Sequence, residues 1–541
     1  MKRFTPTLFI ACALLVATSV CAQTRWPENL LLTPEKSNFV KTSTYAEVMS
    51  FLEAIKAQSN EVHIASLGKS LEGKDIPVAI LSRPRITTPE EAKASGKAIV
   101  YIQGNIHAGE VEGKETVMML MRDILLGDKK SLLDNQVILF VPIYNSDSND
   151  KMEKGRRPSQ EDSPLEVGIR ENSQGWDLNR DGVKMEALET NGLFQNVIVP
   201  WDPHLFVDLH TTNGTWHAWN LTWAPSYHYA GDASMYDYTV NQMLKPITEN
   251  VKKKYDLNFG PYGDYDVSEA WPPRNFYTYN HHPRYLVNQF GLRNRLAILS
   301  EAFAHERFYQ RIHSTYHFAL EILEHTNTNS KAIIELAHKA DEQTVQQVVS
   351  GAGKVKKGVR FKMVPLEKIT LPTYDYVTYT KSDGTVGHYR TGKIVTYQNV
   401  DYYAKFDAEV ESTLPRGYVL PASFAAVAEN LRKHGVKVTT LTKSQTFEGE
   451  TFTIEKLEKS QRKFEGHFMA KASGRFASAK KKFNKGDFVV DLAQPLGNLA
   501  FYLLEPQSDD GYITWNFFDE YLEKQGVNNK PTEYPVFKYY K

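Results

Sequence analysis

The sequence predicts an α/β fold for its N-terminal part, up to about residue 326, and a β-rich α+β fold for the part from residue 358 onward. Three observations carry this expectation. Compact apolar runs at Lys97–Ile102, Leu205–His210 and Arg295–Ser300 read as buried strands. From Val111 the first of these gives way to helical spacing, with Val117, Leu120, Met121 and Ile124 on one face and Gly127 as a stop. Residues 358 to 410 are instead rich in Tyr, Val and Thr around the turn Ser382-Asp383-Gly384, the pattern of an antiparallel β region.

Composition bounds the chain. Its 541 residues suit two domains, and 41% hydrophobic residues can fill two cores. Lys+Arg and Asp+Glu balance at 64 each, so nothing points to a nucleic-acid partner or an anionic membrane surface. Met1-Lys2-Arg3, an apolar stretch from Leu8 to Val16, and Val20-Cys21-Ala22 form the pattern of a signal peptide over residues 1–22, cut after Ala22. The expected location is therefore secreted or periplasmic. Cys21 follows Val20 rather than a small residue, which disfavours a lipoprotein, and both cysteines fall within this leader. No later run approaches the roughly 20 apolar residues of a membrane span.

The residues that suggest chemistry lie where the strands end. Gly104 breaks the first strand, and Asn105-Ile106-His107-Ala108-Gly109-Glu110 follows. In open α/β sheets this crevice is where ligands bind. His107 and Glu110 give two of the three protein ligands of a catalytic zinc, whose remaining position stays open for water. His210, at the end of Leu205–His210 and just before Thr211-Thr212-Asn213-Gly214, is the third candidate. On residue type alone His204, His217, His281 and His282 compete with it. Glu301 follows Arg295–Ser300 and has the chemistry of a base that takes a proton from water and returns it to a leaving amine. In Gly168–Asp181, the Asn179-Arg180 pair suits a carboxylate clamp, and a second Arg suits a developing oxyanion.

Taken together, these segments resemble the M14 zinc metallocarboxypeptidases. Gly68-Lys69-Ser70-Leu71-Glu72-Gly73-Lys74 is similar to the family's early hairpin, His107-x-x-Glu110 to its first ligand pair, and Val141-Pro142-Ile143-Tyr144-Asn145 to its strand ending in Asn. Arg170-x-Asn172-x-x-Gly175-x-Asp177-Leu178-Asn179-Arg180 is similar to its central loop, and His210 and Glu301 follow in the family's order. The resemblance implies a mixed β-sheet flanked by helices, with one zinc held by His107, Glu110 and His210. It implies that Asp177 orients His107, that Glu301 is general base and then acid, and that Arg170 polarises the scissile carbonyl. Asn179 and Arg180 would bind the terminal carboxylate of a peptide or protein substrate. The chain departs from the pattern at Asn145-Ser146-Asp147-Ser148 and at Asp181, and leaves Tyr277, Tyr279 and Tyr285 as candidates for the substrate tyrosine.

This gives an exported metallocarboxypeptidase with a catalytic domain over residues 23–326, a linker helix over 327–357 and an accessory domain over 358–541. His325–Ser330 reads as a polar linker, Lys331–Val349 as a helix, and Val436–Leu441 as a strand after a short helix marked by Phe424, Val427, Ala428 and Leu431. Gln494–Asp519 is similar to a C-terminal region of some long bacterial relatives and suggests no chemistry. The rival readings are hydrolysis of cell-wall peptides or N-acyl amino acids on the same scaffold, and a non-catalytic zinc- or peptide-binding protein. Loss of Glu301 or of a ligand would mark the latter, and neither is lost.

Overall fold

Apolar residues alternate between the two faces of the central strands, so both faces must be covered. Val100 and Ile102, with Leu205, Val207 and Leu209, enter one buried cluster, while Ile99, Tyr101 and Phe206 enter another. In the computed structural model, which describes residues 26–160, 164–227 and 229–540, these strands form one mixed sheet. The expected leader, residues 1–22, lies outside the described residues.

The sheet comprises β1 (Val62–Lys69), β2 (Asp75–Leu81), β3 (Ala98–Gly104), β4 (Gln136–Val141), β5 (Leu205–Thr211), β6 (Leu221–Pro225), β7 (Phe259–Pro261) and β8 (Leu296–Ala302), in spatial order β1-β2-β4-β3-β5-β8-β6-β7. The central strands β4, β3, β5 and β8 are parallel. The chain leaves β3 toward β4 on one side and later places β5 on the other. The ends of β3 and β5 therefore flank a topological switch point, the usual crevice for a ligand. Register sets the neighbours there: Gly104 lies opposite Leu209, and Glu301 opposite His210.

Helices cover the first face. α1 (Tyr45–Gln58) contributes Val48, Phe51, Leu52 and Ile55, and α2 (Glu112–Leu125) contributes Val117, Leu120, Met121 and Ile124. Gly104, expected to break the strand, is its last residue. A Cβ there would stand 2.6 Å from the Gly113 carbonyl carbon, so only glycine lets α2 approach the strand end.

Helix α3 (Phe308–Gly351) corrects one expectation. The polar stretch His325–Ser330 lies inside it, and the helix expected over Lys331–Val349 is its second half. Thr326, Thr328 and Asn329 bond back to the carbonyls four residues earlier, so side chains expected in a linker satisfy a continuous helix instead. Only Asn329 departs from helical geometry, at φ −106° and ψ 17°.

Beyond α3, β9 (Lys356–Thr380) and β10 (Val386–Thr413) form a long antiparallel hairpin around the expected turn. Its Leu371, Val400, Tyr402, Ala404 and Phe406 pack into the second face of the main sheet. A seven-stranded sheet follows, with α4 (Ala425–Lys433) on the expected apolar positions. The strand expected over Val436–Leu441 pairs only at Thr439–Thr440.

Candidate active site

Asn105, at a positive φ of 66°, turns the chain sharply out of β3. A tight turn closed by the Glu110 amide on the His107 carbonyl at 2.9 Å then presents both side chains to the crevice. His107 Nδ1 lies 3.0 Å from Glu110 Oε1, and His210 Nδ1, arriving on β5, lies 2.9 Å from Glu110 Oε2. Ligand atoms of these three buried residues lie within 4.8 Å of one another. Among the competing histidines, His204 bonds the Ile99 amide and His281 faces Asp509, both away from this group.

Each imidazole has a carboxylate behind it. His107 Nε2 lies 3.0 Å from Asp177 Oδ1. His210 Nε2 lies 2.9 Å from Asp208 Oδ2, outside hydrogen-bond alignment. Asp208 in turn accepts from Gln103 Nε2 at 3.0 Å, and Gln103 from the Tyr101 hydroxyl at 2.8 Å. Two Nδ1 atoms and a carboxylate converging, with both rings braced by carboxylates, is a donor set suited to zinc.

Charge in this buried setting is strongly biased. Burial opposes ionisation of Glu110, but Arg157 and His107 outweigh it and hold the carboxyl well below the usual range. Asp177 is likewise held down against burial, chiefly by His107. His210 is raised: burial disfavours its charge, and Asp208 and Glu110 more than compensate. Glu301 goes the other way. Burial pushes it up to about 8, His210 pulls it down and Glu110 adds to the rise. Its Oε2 is buried without a hydrogen-bond partner.

A cavity of about 400 Å³ brings together His107, Glu110, His210, Glu301, Arg170, Asn179 and Arg180. Asp177 stands behind His107 and organises the neighbouring loop. It caps the turn Leu178–Arg180 through the Asn179 amide at 2.9 Å and accepts Arg170 Nε at 2.9 Å. Arg170 Nη1 remains 3.8 Å from Glu110 Oε1, turned toward the metal-ligand candidates. Asn179 Oδ1 is occupied by the Leu286 amide at 3.1 Å, while Arg180 lies over the Tyr285 ring at 4.5 Å.

Of the candidate tyrosines, Tyr279 and Tyr285 line the cavity, and Tyr277 does not. Tyr277 pairs alongside Tyr403 of β10 instead. Tyr262, Asp208 and Arg157 belong to the site as well. Asp208 has a sequence signal, because residues two apart on a strand share a face and it stands two before His210. Arg157 has none. It reaches Glu110 Oε1 at 2.9 Å from a distant loop, over Gly109, where a Cβ would lie 2.6 Å from Arg157 Cγ.

The chain is similar to known proteins. The sequence model described as zinc carboxypeptidase, peptidase family M14, matches residues 48–426. The chain is 21% identical to carboxypeptidase 2 of Trichophyton rubrum, over 87% of this chain and 81% of that protein. It is 20% identical to carboxypeptidase 2 of Trichophyton tonsurans, with the same shares covered. The crystal structure of a metallo-carboxypeptidase from Burkholderia cenocepacia aligns with a TM-score of 0.40 at 17% identity, covering 53% of this chain and 70% of that one. On the family match, which spans most of the chain and all of the residues gathered in the crevice, this protein belongs to the zinc carboxypeptidase family.

Proposed function

We propose that this enzyme of the carboxypeptidase family removes single residues from the C-termini of peptides, using zinc held by His107, Glu110 and His210. The observation that carries the reading is the meeting, in one cavity, of that donor set with Glu301 and with the Asn179-Arg180 turn. Zinc bound there would supply a Lewis acid for the scissile carbonyl and for water.

The chain's own residues account for the rest. Glu301, next to His210 in register and with a free buried oxygen, takes a proton from the attacking water and returns it to the leaving amine. Arg170, its Nε and Nη2 tied to Asp177, keeps one end directed into the cavity for the oxygen that gains charge. Arg180 and Asn179 hold the terminal carboxylate, with the Arg180 guanidinium already placed by Tyr285. Tyr262, Tyr279, Tyr285, Val287 and Leu299 give the cavity an apolar wall, and Glu110 and Glu301 are its only carboxylates among the described residues. An apolar or aromatic terminal side chain suits that wall better than a basic one.

Export is proposed from the Met1–Ala22 leader alone. No helix among the described residues is long and apolar enough to cross a membrane.

The test is amino-acid release from C-terminally free and C-terminally amidated peptides, comparing the native enzyme with Glu301→Gln and measuring zinc on both. Release from free termini only, lost in Glu301→Gln while zinc stays bound, is expected. No release from any peptide despite bound zinc would sink the assignment and favour another amide, such as a cell-wall peptide. Absence of zinc would remove the proposed ligand set.

A further inference from the structure

The C-terminal part of the chain reaches the turn assigned to the substrate carboxylate. The strands Gln445–Lys459 and Ala470–Phe483 are joined by residues 460–469, whose tip is a two-residue turn, with Phe464 and His467 exchanging backbone bonds at 2.9 and 3.0 Å. Its central residues, Glu465 and Gly466, both have positive φ, 48° and 83°. That pair of angles is required by the tight hairpin turn matching strand twist, and is costly for a residue such as Glu.

The turn is shaped to its contact. A Cβ on Gly466 would stand 2.7 Å from Trp176 Cη2, so the missing side chain lets the backbone lie on the indole. Glu465 Oε2 then accepts the backbone N–H of Asp177 at 2.9 Å. His467 fixes the far side of the turn through Glu186, at 3.0 Å. Asp177 is the residue whose carboxylate faces His107, holds Arg170 and caps the turn carrying Asn179 and Arg180. Its amide is held by Glu465, a residue 288 positions away in sequence.

We propose that Glu465 is a positioning residue for the terminal-carboxylate clamp, so that the C-terminal region braces the active site from behind its wall. This rests on the assignment of Asn179 and Arg180 to the substrate carboxylate. Glu465 does not touch substrate. It fixes the Trp176–Asp177 peptide, and through it the placement of Arg180. The effect belongs in KM for substrates with a free terminal carboxylate, with the chemical step little changed.

The experiment compares Glu465→Ala, Glu465→Gln and Arg180→Ala in the full chain, with kcat and KM on a free-terminus peptide and zinc content for each. Glu465→Ala is expected to raise KM about tenfold, the scale of one hydrogen bond to a charged group, with kcat within about threefold and zinc unchanged. Glu465→Gln keeps an acceptor oxygen at the same reach and is expected to restore KM to within about twofold of native. Should Glu465→Ala fail to fold, Glu465→Asp, whose carboxylate stops one methylene short of the amide, replaces it and is expected to raise KM in the same sense. Unchanged KM in Glu465→Ala overturns the proposal, as does a Glu465→Gln variant impaired as far as Glu465→Ala. A rise in Arg180→Ala with none in Glu465→Ala overturns the positioning role alone. Unchanged KM in both overturns the clamp assignment with it.

Discussion

At the scale of single residues, the site is a set of carboxylates given different roles by their surroundings. Glu110 and Asp177 are held ionised by His and Arg neighbours, whereas burial keeps Glu301 high. A base must be ionised to accept a proton, so under the role proposed for Glu301 activity is lost as pH falls through its pKa. A dication bound there would pull that pKa down from about 8. The acid limb of kcat/KM is thus expected above the ordinary Glu value of about 4.3. A limb at the ordinary value in a pH–rate profile would exclude burial as its cause. Asp208→Asn is expected to weaken zinc binding about 10- to 100-fold by removing the carboxylate behind His210, which competition with a chelator would read. The residues legible in sequence were those packed into short stretches at strand ends, such as His107 with Glu110. Arg157, Tyr262 and Glu465 were not, because each arrives from a segment whose only link to the site is the fold.

At the scale of elements, the parallel strands were legible because their apolar runs are unbroken and buried on both faces. The stretch His325–Ser330 reads as a linker because its Thr and Asn have a linker's composition, while here they bond back into the helix α3. The approach of α2 to β3 depends on Gly104, which no periodicity reveals. Gly104→Ala would drive a Cβ to 2.6 Å from the Gly113 backbone, so a lower melting temperature is expected, together with loss of zinc affinity as the His107 turn shifts. Thermal melting and zinc titration of the variant would read both, and a native-like melt would show that the strand end can yield. Phe206, stacked between Tyr101 at 5.4 Å and Phe290 at 4.2 Å, anchors β5 beneath His210. Phe206→Ala is expected to cost about 3–5 kcal/mol of stability in a denaturant titration.

At the scale of the whole molecule, the hairpin and the C-terminal sheet add to the α/β core rather than stand apart from it. Leu371, Val400 and Phe406 complete one face of the main sheet, and Val183 and Leu292 join the apolar cluster of the C-terminal part. A fragment ending at Gly351 would expose those faces and is expected to be recovered insoluble, where the full chain is not. A monodisperse, zinc-binding fragment would show instead that the core closes without them. This degree of interlocking was not legible in the sequence, where β-rich composition after residue 358 marks a change of structure and carries no information about what it packs on.

The long helix α3 binds these parts together. It is 44 residues long. Phe318, Leu320 and Leu323 sit in the core beneath the main sheet, and Val348 sits in the C-terminal core. Between them Asp341 pairs with Arg295 at 3.0 Å, and Thr344 accepts from Asn498 at 3.1 Å. Unfolding either core strips apolar partners from this shared rod, which couples the two. Heating should therefore give one calorimetric transition whose van't Hoff and measured enthalpies agree, with both halves melting as a single cooperative unit.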